Sequence, residues 1–109
     1  MVSQERIQEV VNSIAQQFRP DKIILFGSYA YGTPNEDSDV DLLVAMPADE
    51  RDRKKSIAIR TAVQIEFPCD LLVYDPQYLR QRCNTRDWFV REIVDKGQVL
   101  YDGRNTEMG

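Results

Sequence analysis

Histidine is missing altogether from the 109-residue chain. That removes Ser–His–Asp triads, imidazole general bases and His-ligated zinc. Cysteine is scarce. Cys69 and Cys83 are too few and too far apart for a zinc site or a disulfide framework. Each is read as ordinary packing, the common fate of a free thiol, Cys69 in an apolar run and Cys83 in a helix. No stretch approaches the roughly 18 to 20 apolar residues of a membrane span. The opening MVSQERIQEV has no basic segment followed by an apolar one, so neither membrane insertion nor export is expected and the expected location is the cytoplasm. Positive charge is also short, with 14 Lys and Arg against 18 Asp and Glu, a net charge of −4. Proteins that grip long nucleic acids draw most of their non-specific affinity from neutralised phosphates, so direct binding of a long nucleic acid is not expected. A small anion held by a metal ion and a local loop stays open.

What is present suits one domain. Apolar residues make up 42% of the chain, enough for a core without covalent or metal staples. Ile7, Val10, Val11, Ile14, Ala15 and Phe18 recur at helical spacing behind Ser3, a plausible N-cap, and Pro20 ends that helix. Residues 22–26 (KIILF) read as a buried strand closed by Gly27-Ser28. Residues 29–32 can form one helical turn, and 33–38 (TPNEDS) are turn formers. A second strand is expected over 39–45, a helix over 51–65 stopped by Pro68, and a third strand over 69–74. Helices over 76–83 and 87–96 follow, then Gly97 and a possible edge strand over 98–101. A helix between the second and third strands is long enough for a parallel crossover, whereas the short link between the first and second favours antiparallel pairing. The expected fold is therefore α/β: a small mixed sheet of three to four strands flanked by helices, with the domain over 1–101 and a polar tail over 102–109.

Two local features carry chemistry. Asp39 and Asp41 lie two apart at the start of a strand and so face the same way, while Val40, Leu42 and Val44 face the other. Adjacent carboxylates repel unless a cation lies between them, and oxygen-only ligands suit a hard ion such as Mg2+ or Mn2+. The plain alternative is a pair of solvated acids, since D-x-D arises by chance in roughly one chain in three of this length. Gly27-Ser28 directly follows a buried strand. Glycine there lets a backbone approach a ligand, the next amides can point at phosphate oxygens, and the Ser hydroxyl can donate another bond. The plain alternative is a turn that ends a strand.

Taken together, Gly27, Ser28, Gly32, Ser38, Asp39, Asp41 and Leu42 spell G-S-x-x-x-G-x-x-x-x-x-S-D-x-D-L. This pattern resembles the DNA polymerase β-like nucleotidyltransferase superfamily, and its shortest branch, the minimal nucleotidyltransferase domains. The resemblance follows the order of elements from the first helix to about Tyr101. It implies that Gly27 and Ser28 hold the triphosphate of a nucleoside triphosphate, that Asp39 and Asp41 ligate a pair of Mg2+ ions, and that pyrophosphate leaves as a nucleoside monophosphate joins an acceptor hydroxyl. The family often adds a third acid on the next strand. Asp70 in FPCDLLV is the matching position, with a role as shared metal ligand or general base. An ordinary strand-start Asp or a turn cap is its plainer reading. Many relatives carry Arg just before the second motif glycine, where Tyr31 stands here. Lys54, Lys55 or Arg60 could replace that cation, although RDRKK reads more simply as a solvated helix face. The late aromatics Tyr74, Tyr78, Trp88, Phe89 and Tyr101 are expected mostly in the core, with one or two left for an apolar patch.

The resemblance implies AMP transfer from ATP to a partner protein, because minimal nucleotidyltransferase domains commonly pair with HEPN-domain ribonuclease toxins and act as the antitoxin. A second reading is an antitoxin that neutralises its partner by contact alone. A third is a small-molecule nucleotidyltransferase, whose relatives are longer because a second domain holds the acceptor. A D-x-D phosphatase or glycosyltransferase leaves Gly27-Ser28 unexplained.

Overall fold

A computed structural model describes residues 1–49, 51–85 and 87–103. The elements are α1 (Gln4–Phe18), β1 (Lys22–Phe26), α2 (Ser28–Tyr31), β2 (Val40–Ala45), α3 (Arg53–Val63), β3 (Cys69–Tyr74), α4 (Pro76–Asn84), α5 (Trp88–Lys96) and β4 (Gln98–Asp102). Side-chain caps set several boundaries. Ser3 Oγ accepts from the Arg6 amide at 3.2 Å and opens α1. Arg19 turns left-handed at φ 47° just before Pro20, which disfavours helix in the preceding residue. Asp52 accepts from the Lys55 amide at 3.0 Å. It therefore starts α3 two residues later than expected, and Arg51 instead bridges to Tyr74. Gln64, left-handed at φ 56°, ends α3 before Ile65. Asp87 caps α5 through the Val90 amide.

The four strands lie in the order β3-β2-β1-β4. As expected, β1 and β2 pair antiparallel and β2 and β3 pair parallel, with α3 as the crossover. β4 adds antiparallel to β1 as an edge and runs one residue further than the sequence suggested, to Asp102. The expected polar tail falls outside the described residues from position 104 onward.

The strands are apolar almost throughout because both faces of the sheet are covered. One face (Ile23, Leu25, Val40, Leu42, Val44, Leu71, Val73) packs on Ile7, Val11 and Ile14 of α1 and Ile59 of α3. The other (Ile24, Phe26, Leu43, Ala45, Leu72, Tyr74) packs on Leu79 of α4 and on Val90 and Ile93 of α5. Cys69 belongs to the first cluster, and burial pushes its thiol up to about 12, so it serves as packing. The outer edge of β3 is covered by α3. Ser56 Oγ donates to the Leu71 carbonyl at 2.8 Å, the Arg60 guanidinium to the Cys69 carbonyl, and the Asp52 amide to the Val73 carbonyl.

Candidate functional site

β1 ends where β2 and β3 begin. Phe26 stands opposite Asp41, and Asp41 stands beside Asp70 in the parallel register. The Val40 amide donates to the Pro68 carbonyl at 2.9 Å and ties the two strand starts together. With a side-chain period of two, Asp41 and Asp70 face the α4–α5 side of the sheet, while Val40 and Leu42 fill the α1–α3 side; Asp39, just before the strand, is near enough for its charge to act on Asp41. Asp39 is not part of the strand, which starts at Val40. It is delivered by a loop held by its own polar groups: Asn35 Oδ1 accepts from the Asp37 amide at 2.8 Å, and Ser38 Oγ accepts from the Asn35 amide at 3.0 Å. Ser38 thus serves the loop.

Gly27 adopts φ 73°, ψ −160°, a conformation open to glycine and strained for other residues. A Cβ placed there would lie 2.0 Å from Asp41 Oδ2. The bare backbone of the turn is therefore pressed against the Asp41 carboxylate. From Gly27 the chain winds into α2: its carbonyl accepts from the Ala30 and Tyr31 amides, and Gly32, left-handed at φ 86°, closes the turn. The amides of Ser28 and Tyr29 open this turn and have no carbonyl within it, so they are available to an anion. Two long-range bonds pin the turn: Val2 N–H donates to Tyr29 Oη at 3.0 Å, and Gln98 Nε2 donates to the Ala30 carbonyl at 2.9 Å. Ser28 itself is partly exposed.

Charge is crowded here. Asp41 is half-buried, and its pKa is pushed from 3.8 up to about 6, first by loss of water, then by the charges of Asp70 and Asp39. Tyr31 lies close enough to feel Asp41 and Glu92; desolvation, then those two charges, raise its phenol, against a backbone hydrogen bond from Gly27 that lowers it. Among the described residues, no three Asp, Glu or Cys side chains are gathered into a closed ligand cage. The acids share one rim without enclosing a point, as mutual repulsion favours.

The cations weighed as replacements for the arginine missing at Tyr31 are elsewhere. α3 lies along the β3 edge, and β2 separates β3 from β1 and Gly27. Lys55 Nζ donates to the Pro47 carbonyl and Arg60 to the Cys69 carbonyl, so neither stands at the turn. One feature was not legible from sequence. Phe26 and Phe89 meet edge to face, centroids 5.9 Å apart, and join the end of β1 to α5. Of the late aromatics, expected mostly in the core with one or two left over, Trp88 is 73% exposed. Its place opposite Val90 and Ile93 on α5 is a signal that helical phase could have supplied.

Comparison with known proteins shows the family and the fold. A family model described as "Nucleotidyltransferase domain" matches residues 7–100. A Methanocaldococcus jannaschii protein named "Putative protein adenylyltransferase" is 31% identical over 104 residues, covering 93% of this chain and 100% of that protein. A second protein of the same name and organism is 38% identical over 77 residues, covering 71% of this chain and 75% of its own length. The fold resembles the crystal structure of a "putative nucleotidyltransferase" from Sulfolobus solfataricus, with a TM-score of 0.63 at 19% identity over 90% of this chain and 78% of that one. It also resembles a toxin-antitoxin structure with AMP-PNP, with a TM-score of 0.62 at 22% identity over 92% of this chain and 76% of that one.

Proposed function

Because the chain belongs to the nucleotidyltransferase domain family, we propose that it moves AMP from ATP to a hydroxyl of a partner protein, at a site built from Gly27, Ser28, Asp39, Asp41 and Asp70. The observation that carries this reading is the contact between the Gly27 backbone and the Asp41 carboxylate, with Asp70 in register beside it. It sets a glycine turn against an acidic rim, an arrangement a simple strand-ending turn does not need.

The donor set fits a hard divalent cation. All three acids offer oxygen only, and the crowding that lifts Asp41 is what a cation would relieve. Asp39, Asp41 and Asp70 would hold Mg2+ or Mn2+, which when bound screens the triphosphate and the departing pyrophosphate. The chain's own groups do the rest. The Ser28 and Tyr29 amides and the Ser28 hydroxyl bind phosphate oxygens and fix the chain of phosphates over β1. Asp70, exposed at the start of β3, takes the proton of the acceptor hydroxyl. The acceptor oxygen bonds to the α-phosphorus, the bond from that phosphorus to the bridging oxygen breaks, and pyrophosphate leaves.

A protein acceptor is supported by the names of the two archaeal relatives, one aligned along its whole length, and by the toxin-antitoxin neighbour. Within that reading the chain is an antitoxin. Its partner is a HEPN-domain ribonuclease, silenced by added AMP bulk and charge at a Tyr, Ser or Thr near its RNA site. The test is to incubate the chain with the product of its neighbouring gene, ATP and Mg2+, and to weigh that product by mass spectrometry. An adenylate that appears with wild type and disappears with Asp39→Asn or Asp70→Asn is the expected result. A partner that stays unmodified yet fully inhibited would replace transfer with neutralisation by contact.

A further inference from the structure

The sheet order gives the site two sides. Gly27 and Ser28 lie at β1, Asp39 and Asp41 at β2, and Asp70 at β3, the edge strand. Phosphoryl transfer needs the attacking and leaving oxygens roughly in line. If the proposed phosphate turn at β1 holds the leaving side, the attacking side is the β3 edge. That edge is bordered by α3, and a groove of about 260 Å3 runs between them, lined by Arg53, Ser56, Ile57 and Arg60 and reaching Asp70.

The surface of α3 differs from the rest of the chain. Its residues 53–63 hold four of the 14 Lys and Arg and no acid, in a protein of net charge −4. Arg53, Ile57 and Arg60 follow one another at helical spacing and form a single stripe. Ile57 is 64% exposed at its centre, with exposed arginines on either side. An apolar anchor within a polar rim is the anatomy of a protein interface. α3 carries no aromatic side chain on which a base could stack, which argues against single-stranded RNA.

We propose that the Arg53–Ile57–Arg60 stripe of α3 is the docking surface for the acceptor and takes an acidic polypeptide segment with an apolar residue, placing its hydroxyl beside Asp70. This rests on the protein-acceptor reading above and adds the side from which the acceptor comes and its charge.

The test separates docking from catalysis. Fluorescently labelled random Glu–Tyr copolymer is titrated with the full chain, with Lys–Tyr copolymer and oligouridylate as comparisons. The variants are Arg53→Glu and Ile57→Asp, both at exposed positions, with Arg91→Glu on α5 as a control. Glu in the first turn of α3 suits the helix dipole, so the charge reversal does not weaken the helix. The expected result is salt-sensitive binding of the acidic copolymer only, weakened about tenfold by either α3 variant and unchanged in the control. Equal binding by wild type and both α3 variants, or a preference for oligouridylate, would overturn the proposal. Adding ATP labelled at the α-phosphate tests the underlying reading. Label on the copolymer that is lost in Asp41→Asn while binding persists upholds both. Binding without any label in wild type rejects the transfer reading and leaves the docking surface standing.

Discussion

Asp41→Asn should make the metal-free protein more stable at neutral pH, although it removes a proposed ligand. In the folded chain Asp41 titrates at about 6 against an ordinary 3.8, with desolvation the first cause and the charges of Asp70 and Asp39 next. The folded state therefore keeps a proton that the unfolded state gives up. Stability from this group is complete below pH 3.8, falls as pH rises through about 6, and stays low above it. A rise of that size in an enclosed group corresponds to about 3 kcal/mol. Asp41 is only half-buried, and solvent screening reduces this to about 1 kcal/mol. In a domain of this size that is a Tm difference of about 4 °C. The assay is thermal melting of wild type and Asp41→Asn in chelator across the acid-to-neutral range. The variant should melt higher at neutral pH, and the curves should converge toward pH 3.8. With Mg2+ and ATP the order should reverse, because only wild type gains from ligand binding. A variant that melts at or below wild type in chelator at neutral pH, with a gap that does not vary with pH, would refute the crowded-carboxylate account.

Two further substitutions probe the turn. Gly27→Ala should cost more than a helix or loop Gly→Ala normally does, since its Cβ would sit 2.0 Å from Asp41 Oδ2 at positive φ; melting should fall, and calorimetry should show loss of ATP–Mg2+ binding even where the fold survives. Wild-type binding in that variant would remove the turn from the site. Ser28→Ala should leave melting unchanged, because its hydroxyl makes no bond among the described residues, and should weaken ATP by about 1 to 3 kcal/mol, the value of a hydrogen bond to a charged group.

Much of the scaffold was legible because its signals are local. Ser3, Pro20, Asp87 and Gly32 mark boundaries through caps and backbone preferences that depend on a few neighbours. The errors also have local causes. Asp52, not Arg51, offers the side chain that caps α3, so the helix starts at Arg53, and Asp39 is held by the Asn35–Ser38 loop and so lies before β2. Residue type alone does not say which late aromatic stays outside the core; the phase of Trp88 on α5, opposite Val90 and Ile93, does.

The sequence by itself determined the element types and the mixed pairing of the sheet, because side-chain period and connection length decide these within short stretches of chain. Only the tertiary structure decided what those residues meet. The contact of Gly27 with Asp41 requires β1 and β2 to pair with Phe26 opposite Asp41, and the place of Asp70 requires the α3 crossover to set β3 in register with β2. The same packing fixes which side of the acids the turn occupies and lifts Asp41 to about 6, since desolvation and charge crowding belong to the assembled sheet edge and to no single segment.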